Sequence, residues 1–273
     1  MTAPFDLIVV GAGMAGISAA NKAVGAGWRT AIVDELPYGG TCALRGCDPK
    51  KILRRGAEII DAATLMRDKG IDANGLSINW ADLMRHTRGF TDPVPANAER
   101  ELASNGVATL HGTATFTSPS TIDVAGTVYE PRHVLIATGA RPRPLGFPGA
   151  DRVIDSTEFL HLDSLPRRIV FVGGGFISFE FAHIAARVGS TVTIIDRGDR
   201  PLRGFDPDLV DLLTARSAAV GVDVRSRTTI DAIDGTESGH AVRLDTPDGA
   251  ADIDADLVVH GAGRIPNLAT LGL

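Results

Sequence analysis

The residues with the clearest capacity for chemistry are two cysteines in the segment GGTCALRGCDPKK, residues 39–51. Cys42 and Cys47 stand five positions apart, with Gly46 between them and Pro49 just after. Zinc would want two further soft ligands, and none follows at usable spacing, so no metal is expected here. A redox disulfide needs only two sulfurs that can meet, and a glycine-relaxed helical turn allows that. A helix start also favours the thiolate, the form that attacks disulfides or lends charge to a ring. Two unrelated buried thiols remain the plain alternative at this point.

Something must position such a pair, and the chain supplies it twice. LIVVGAGMAG begins at Leu7 and IVFVGGGFIS at Ile169, with Gly11 and Gly173 separated by 162 residues. Each glycine run is followed by a helical stretch and then by a β-rich run ending in an acid, Asp34 or Asp196. The distance from first glycine to acid is 23 in both copies. A strand, a GxGxxG turn, a helix and an acid at that distance fit a dinucleotide-binding unit. Gly11 permits the tight turn, Gly13 lets backbone reach a pyrophosphate, and Gly16 lets the helix pack on the strand. The helix N-terminus then offers free N–H groups to phosphate, and Asp34 offers acceptors to a ribose diol. In the second copy Gly173, Gly175 and Ser178 take the same places, with serine as the third small residue.

A third echo, HVLIATGARP from His133 and LVVHGAGRIP from Leu257, closes each half after a stretch of alternating apolar and polar residues with turn signals. The expected fold is therefore α/β. It has two Rossmann-like three-layer ββα domains, each with a central parallel sheet and a small antiparallel insertion. Residues 1–148 are expected to form the first domain, with the cysteine pair, and residues 149–268 the second. Residues 269–273 would begin a return into the first. The Pro-rich stretch 141–148 fits a short, stiff connector.

Composition removes other classes. The 273 residues carry 27 Lys and Arg against 33 Asp and Glu, a formal charge of −6, with no basic block, so no nucleic-acid partner is expected. Hydrophobic residues at 44% and charged ones at 22% match an ordinary globular chain. The 31 glycines are an excess that suits backbone approaching a ligand closely. No apolar run is long enough to span a membrane. The first charge is Asp6, no basic region precedes the apolar residues, and glycines interrupt them, so a secretory leader is not expected and a cytoplasmic setting is.

GGTCxxxxC-x-P-x-K after a GxGxxG unit resembles the flavin-dependent pyridine-nucleotide disulfide oxidoreductases. Glutathione reductase, mercuric reductase and dihydrolipoamide dehydrogenase are members. Four motifs occur in the family's order: GAGMAG, GGTCALRGC, ATG at residues 137–139, and GAGRIPN at residues 261–267. The resemblance implies that the first unit holds the ADP half of FAD through Gly11, Gly13, Ala15, Gly16, Asp34 and Glu35. Gly40, Thr41, Lys51, Ala137, Thr138 and Gly139 join the flavin side. Cys47 would lie against the flavin and Cys42 would exchange with substrate, a small-molecule disulfide or related acceptor. Lys50 matches the family lysine near the flavin, and Glu180 its ion-pair partner.

The second unit would take the nicotinamide nucleotide through Gly173, Gly175, Phe176, Ile177, Asp196, Arg197, Arg203 and Gly263. Phe176 stands where many relatives have a tyrosine lid. Asp196 suits a free ribose hydroxyl, but Arg197 and Arg203 match the arginine pair of NADPH users and could grip a 2′-phosphate. NADPH is the expected donor, with NADH as the alternative. Departures narrow the substrate. Asn21 and Ala98 stand where glutathione reductases carry an arginine and a tyrosine, and CDPKK differs from the CVPSK of mercuric and lipoamide enzymes. Family members continue well beyond the position of Leu273, through a flavin-gripping motif and a homodimer interface domain that supplies a His–Glu pair. The chain is thus expected to be a fragment or curtailed form with weakened FAD retention and poor disulfide turnover. An idle nucleotide-binding module is the competing expectation.

Overall fold

The structure, a computed structural model, describes residues 5–273. The chain divides into two compact units. One gathers residues 5–49, Arg88–Arg141 and Ile265–Leu273; the other gathers Lys50–Thr87 and Pro142–Arg264.

In the first unit, β1 (Leu7–Val10) passes through glycines into α1 (Met14–Gly25), and β2 (Thr30–Asp34) returns beside it. Next come α2 (Gly40–Arg45) and α3 (Cys47–Leu65), which bear the cysteines, then α4 (Trp80–Thr91) and α5 (Val94–Ser104); of these, α3 from Lys50 on and α4 up to Thr87 belong to the second unit. Strand β3 (Ala108–His111) precedes three short strands, β4 (Ala114–Ser118), β5 (Thr121–Val124) and β6 (Thr127–Tyr129), and β7 (His133–Ile136) follows them.

The parallel sheet has the order β3-β2-β1-β7, with Leu7 opposite Thr30 on one side and His133 on the other. All four residues of β1 are buried, as a strand covered on both faces requires. Leu7 and Val9 pack with Ala20 of α1, Ile32, and Leu102 of α5. Ile8 and Val10 point the opposite way, to Ala114, Ile122 and Val124 of the antiparallel β4-β5-β6 sheet and to Leu271. Strand alternation thus produces three layers: helices, parallel sheet, antiparallel sheet. Residues near the end of the chain belong to this layer, since the Phe116 N–H donates to the Leu271 carbonyl at 2.8 Å.

The second unit repeats the plan. After β8 (Ala140–Pro142) and the single turn α6 (Ser156–Phe159), β9 (Arg168–Val172) leads into α7 (Phe176–Val188). Then follow β10 (Thr191–Ile195), α8 (Pro207–Ala219) and β11 (Val222–Arg225). The antiparallel strands are β12 (Thr229–Thr236), β13 (Gly239–Thr246) and β14 (Gly249–Ala255), and β15 (Leu257–His260) completes the parallel sheet β11-β10-β9-β15. Ile169 and Phe171 face Phe179 and Ala182 of α7, while Val170 and Val172 face Val242 and Leu244 of β13.

Helices α3 and α4 contribute Leu53, Ala57, Trp80 and Met84 to this unit's helical side. The ring of Phe159 sits at its centre, 4.8 Å from Phe181 and 6.0 Å from both Trp80 and Phe171 between centroids. The architecture is therefore mixed α/β with two three-layer units built on parallel sheets. Among the described residues no helix is long and apolar enough to cross a membrane.

Candidate functional site

The first glycine turn is shaped by backbone crowding. Gly11 has φ +108°, and a Cβ there would lie 2.7 Å from the Ala137 carbonyl carbon. A Cβ on Gly16 would run into the Gly11 carbonyl. The ATG run is thus the wall against which the turn closes, joined by the Ala137 N–H donating to the Val10 carbonyl at 2.8 Å. Asp34 braces the turn: its carboxylate accepts from the Ala12 N–H at 2.7 Å and the Leu36 N–H at 2.9 Å. Ala15 and Glu35 lie exposed on either side, and the Glu35 carboxylate accepts from the Thr113 hydroxyl at 3.0 Å.

The cysteine segment is sewn to this turn. The Gly39 N–H donates to the Ala12 carbonyl at 2.9 Å, and Gly40, at φ +66°, packs its Cα against Gly13 so closely that a Cβ at 40 would collide with it. Helix α2 therefore starts directly on the glycine turn, with Thr41 exposed and Cys42 half-buried in its first turn. At Gly46 a Cβ would press on the Thr41 carbonyl at 3.0 Å, so a glycine lets the chain break between α2 and α3. Cys47 is exposed as the first residue of α3. Thr138 is half-buried, and the Gly139 carbonyl accepts from the Asn267 N–H at 3.0 Å.

One turn into α3, Lys50 meets Glu180 of α7, Nζ to Oε1 at 2.5 Å, with Lys50 largely buried; Lys51 points to solvent. A second ion pair joins the same two helices further along. The Arg187 guanidinium grips Asp61 with bonds of 3.0 and 3.1 Å, and Arg216 of α8 adds one at 3.2 Å. Burial raises the Asp61 pKa, but the hydrogen bonds and charges of Arg187 and Arg216 more than offset it and hold the carboxyl below its ordinary value. Arg187 also donates to His183 Nδ1 at 2.9 Å. Because a guanidinium only donates, that ring nitrogen accepts, and the ring proton sits on Nε2, 2.8 Å from the Ser217 hydroxyl. Burial first and the Arg187 charge second push the His183 pKa down to about 4. Asp61, His183 and Arg187 line a cavity of about 400 Å³ together with Lys50 and Glu180. Sequence reasoning missed the Asp61–Arg187–His183 cluster, whose members lie up to 126 positions apart with no motif to link them.

The second glycine turn repeats the first with different parts. Gly173 has φ +95°, and a Cβ there would sit 2.6 Å from Ala262 Cα, so residues 261–263 serve as its wall. Ser178 replaces the third glycine and donates to the Gly173 carbonyl at 2.5 Å. The hydroxyl fits only because Gly261 opposite has no side chain. A cavity of about 620 Å³ opens over this turn. Gly173, Gly175, Phe176, Ile177, Asp196, Arg197, Arg203 and Gly263 all line it, so the structure collects this whole predicted set. Phe176 is exposed, and so are Arg197 and Arg203. Asp196 makes no side-chain hydrogen bond among the described residues, which leaves its carboxylate available.

Helix ends show what the two turns suit. Asp155 caps α6 and Asp206 caps α8, each accepting two backbone N–H bonds. Helices α1 and α7 start at Gly13 and Gly175 with no side-chain cap and no acid in the first turn. Their leading N–H groups are left for an anion, as a bound diphosphate requires. Both turns thus fit dinucleotides, and at Gly11, Gly16 and Gly173 a Cβ would collide with backbone.

The profile described as pyridine nucleotide-disulphide oxidoreductase matches residues 5–272. A dihydrolipoyl dehydrogenase from Mycoplasma pneumoniae is 34% identical over 98% of the chain, and a glutathione reductase from Burkholderia cepacia is 35% identical over 98%. A solved copper(II) complex of the HOCl-induced flavoprotein disulfide reductase RclA from Escherichia coli superposes with a TM-score of 0.84 over 99% of the chain, at 25% identity. The chain spans 59% of the length of each of these relatives.

Proposed function

Because the chain belongs to the pyridine nucleotide-disulphide oxidoreductase family, we propose that it is the electron-transferring part of an NADPH-dependent, FAD-containing disulfide reductase. On this reading residues 1–148 hold FAD, residues 149–268 hold the nicotinamide nucleotide, and residues 269–273 rejoin the first part. FAD supplies the electron relay between a nicotinamide hydride and a disulfide.

The chain's own residues have distinct tasks. The uncapped N-termini of α1 and α7 take the diphosphates, Asp34 takes ribose hydroxyls with the acceptor capacity its two backbone bonds leave, and Lys50, paired with Glu180, steadies negative charge arriving beside it. With both cysteines reduced, the Cys42 thiolate attacks a sulfur of the external disulfide and expels one substrate thiolate, forming a mixed disulfide. The Cys47 thiolate then attacks Cys42 in that mixed disulfide, re-forming the Cys42–Cys47 bond and releasing the second thiolate. Arg197 and Arg203 select the 2′-phosphate of NADPH. A cytoplasmic setting and a homodimeric full-length form belong to the same reading.

The observation that carries it is the Gly13–Gly40 contact, which supports a cysteine helix grown directly from the first nucleotide turn. The test is spectroscopic. The purified chain, supplied with FAD and reduced by NADPH without oxygen, should develop long-wavelength absorbance. Cys47→Ser should abolish that absorbance and Cys42→Ser should retain it. A chain that develops no long-wavelength absorbance with FAD and NADPH, or two variants that behave alike, would refute the assignment.

A further inference from the structure

The segment between β10 and α8 folds back over the second glycine turn and is tied down at two points, one through Leu202 within it and one through Arg227, which lies beyond β11. Leu202 adopts φ +51° and donates its N–H to the Gly174 carbonyl at 2.8 Å. Arg227 also adopts φ +51° and donates to the Gly198 carbonyl at 2.8 Å. Positive φ is uncommon for non-glycine residues, and for a leucine it is a real cost, kept only where surroundings enforce it. Pro201 is buried against Gly174, where a Cβ would lie 2.7 Å from the proline Cβ. The strap therefore cannot drift from the turn.

Held this way, the strap brings the Arg203 guanidinium against Gly198. A Cβ at position 198 would stand 2.7 Å from Nε and 2.8 Å from Cζ, with Nη2 closer still. Gly198 is buried, yet its φ lies outside the left-handed region. An alanine there would meet no positive-φ penalty, and its three nearest neighbours would all be atoms at the end of the flexible Arg203 side chain.

We propose that Gly198 is a positioning residue: it seats the Arg203 guanidinium at the cavity edge beside Asp196 and Arg197, and so sets the preference for a dinucleotide that carries a 2′-phosphate. The inference rests on the reading of this cavity as the nicotinamide-nucleotide site, and all three charged residues line it. A seated guanidinium has less rotamer freedom to lose when it meets a phosphate and keeps its bidentate fork aimed. Gly198→Ala removes the seat without removing any group that touches a nucleotide.

The test is calorimetric titration of the full chain with NADP⁺ and with NAD⁺, in the wild type, Gly198→Ala, Arg203→Ala and the double variant. Gly198→Ala should weaken NADP⁺ binding about tenfold, the scale of one charge-assisted hydrogen bond, and leave NAD⁺ within about twofold. Arg203→Ala should show the same selective loss, and the double variant should be no weaker than Arg203→Ala alone, because both act through one guanidinium. Unchanged NADP⁺ binding in Gly198→Ala, equal loss for both nucleotides, additive losses, or a Gly198→Ala chain whose circular dichroism shows it unfolded would each overturn the seat. A wild type that binds neither nucleotide would overturn the reading of the cavity itself, a distinct result.

Discussion

His183 gives the chain a specific acid sensitivity. In the fold its Nδ1 faces the Arg187 guanidinium at 2.9 Å, so a second ring proton would point an N–H at another N–H beside a fixed positive charge. Burial first, and that positive charge second, keep the ring neutral until about pH 4, against an ordinary value of 6.5. A histidine depressed in the folded state contributes stability that is complete above its unfolded value and is lost as pH falls toward the folded one. The window is from 6.5 down to about 4. Between about pH 7 and pH 5 the unshielded linkage amounts to about 2 kcal/mol, and solvent screening of a partly exposed ring reduces it to about 1 kcal/mol. The perturbation is His183→Gln, whose amide can still donate to Ser217 but has no proton to gain. Urea unfolding followed by circular dichroism at several pH values should show the wild type losing about 1 kcal/mol more than the variant over that range. Parallel losses in the two proteins would refute the depressed pKa of His183.

Other perturbations test other joints. Asp61→Asn leaves the nearly buried Arg187 without its carboxylate and should cost about 1–3 kcal/mol by thermal denaturation. It should also remove the part of acid destabilisation that begins as pH falls below 3.8, since a carboxyl held low contributes its stability above that value. Gly40→Ala combines a positive φ with a collision against Gly13, and should lower stability by more than about 2 kcal/mol and release FAD, read from flavin fluorescence. Lys50→Met should leave the fold and nucleotide binding intact while slowing NADPH-driven flavin bleaching about tenfold or more in stopped flow. An unchanged rate would remove Lys50 from the chemistry.

The parts legible in the sequence were those where backbone geometry dictates residue type. Gly11 and Gly173 announce themselves because a turn at φ near +100° pressed on a neighbouring chain admits nothing larger. The strands LIVV and RIVFV announce themselves because parallel strands are covered on both faces. The ATG and GAG echoes were visible as repeats, but their reason, to form the wall behind each glycine turn, needed the fold. Less was legible where partners are distant. No motif in residues 52–65 points to a partner, and only packing shows that Leu53 and Ala57 join the core around Phe159. Arg187 and Asp61 are ordinary charged residues until α3 and α7 lie side by side. Gly198 has neither positive φ nor motif, so its place beneath Arg203 had no sequence signal at all.

The two copies of the repeat solve one mechanical problem in two ways, and the difference bears on what each acid can do. A glycine turn that presents its N–H groups to a ligand has few contacts of its own and needs bracing from outside. In the first copy the acid does this, since Asp34 accepts from Ala12 within the turn and from Leu36 beyond it. In the second copy the strap does it, through Leu202 bonded to Gly174 and Pro201 packed on the same residue. Asp196 is thereby relieved of structural duty, and its charge stands available at the cavity edge between Arg197 and the turn. An acid committed to its own backbone sees any bound ribose with only its remaining lone pairs, whereas an uncommitted one meets a ligand with its full charge. On the proposed reading, discrimination between nucleotides would be concentrated in the second copy, where Asp196 would repel the phosphate that Arg197 and Arg203 attract. The bonds of Leu202 to Gly174 and of Arg227 to Gly198 tie down the strap that carries those opposed charges.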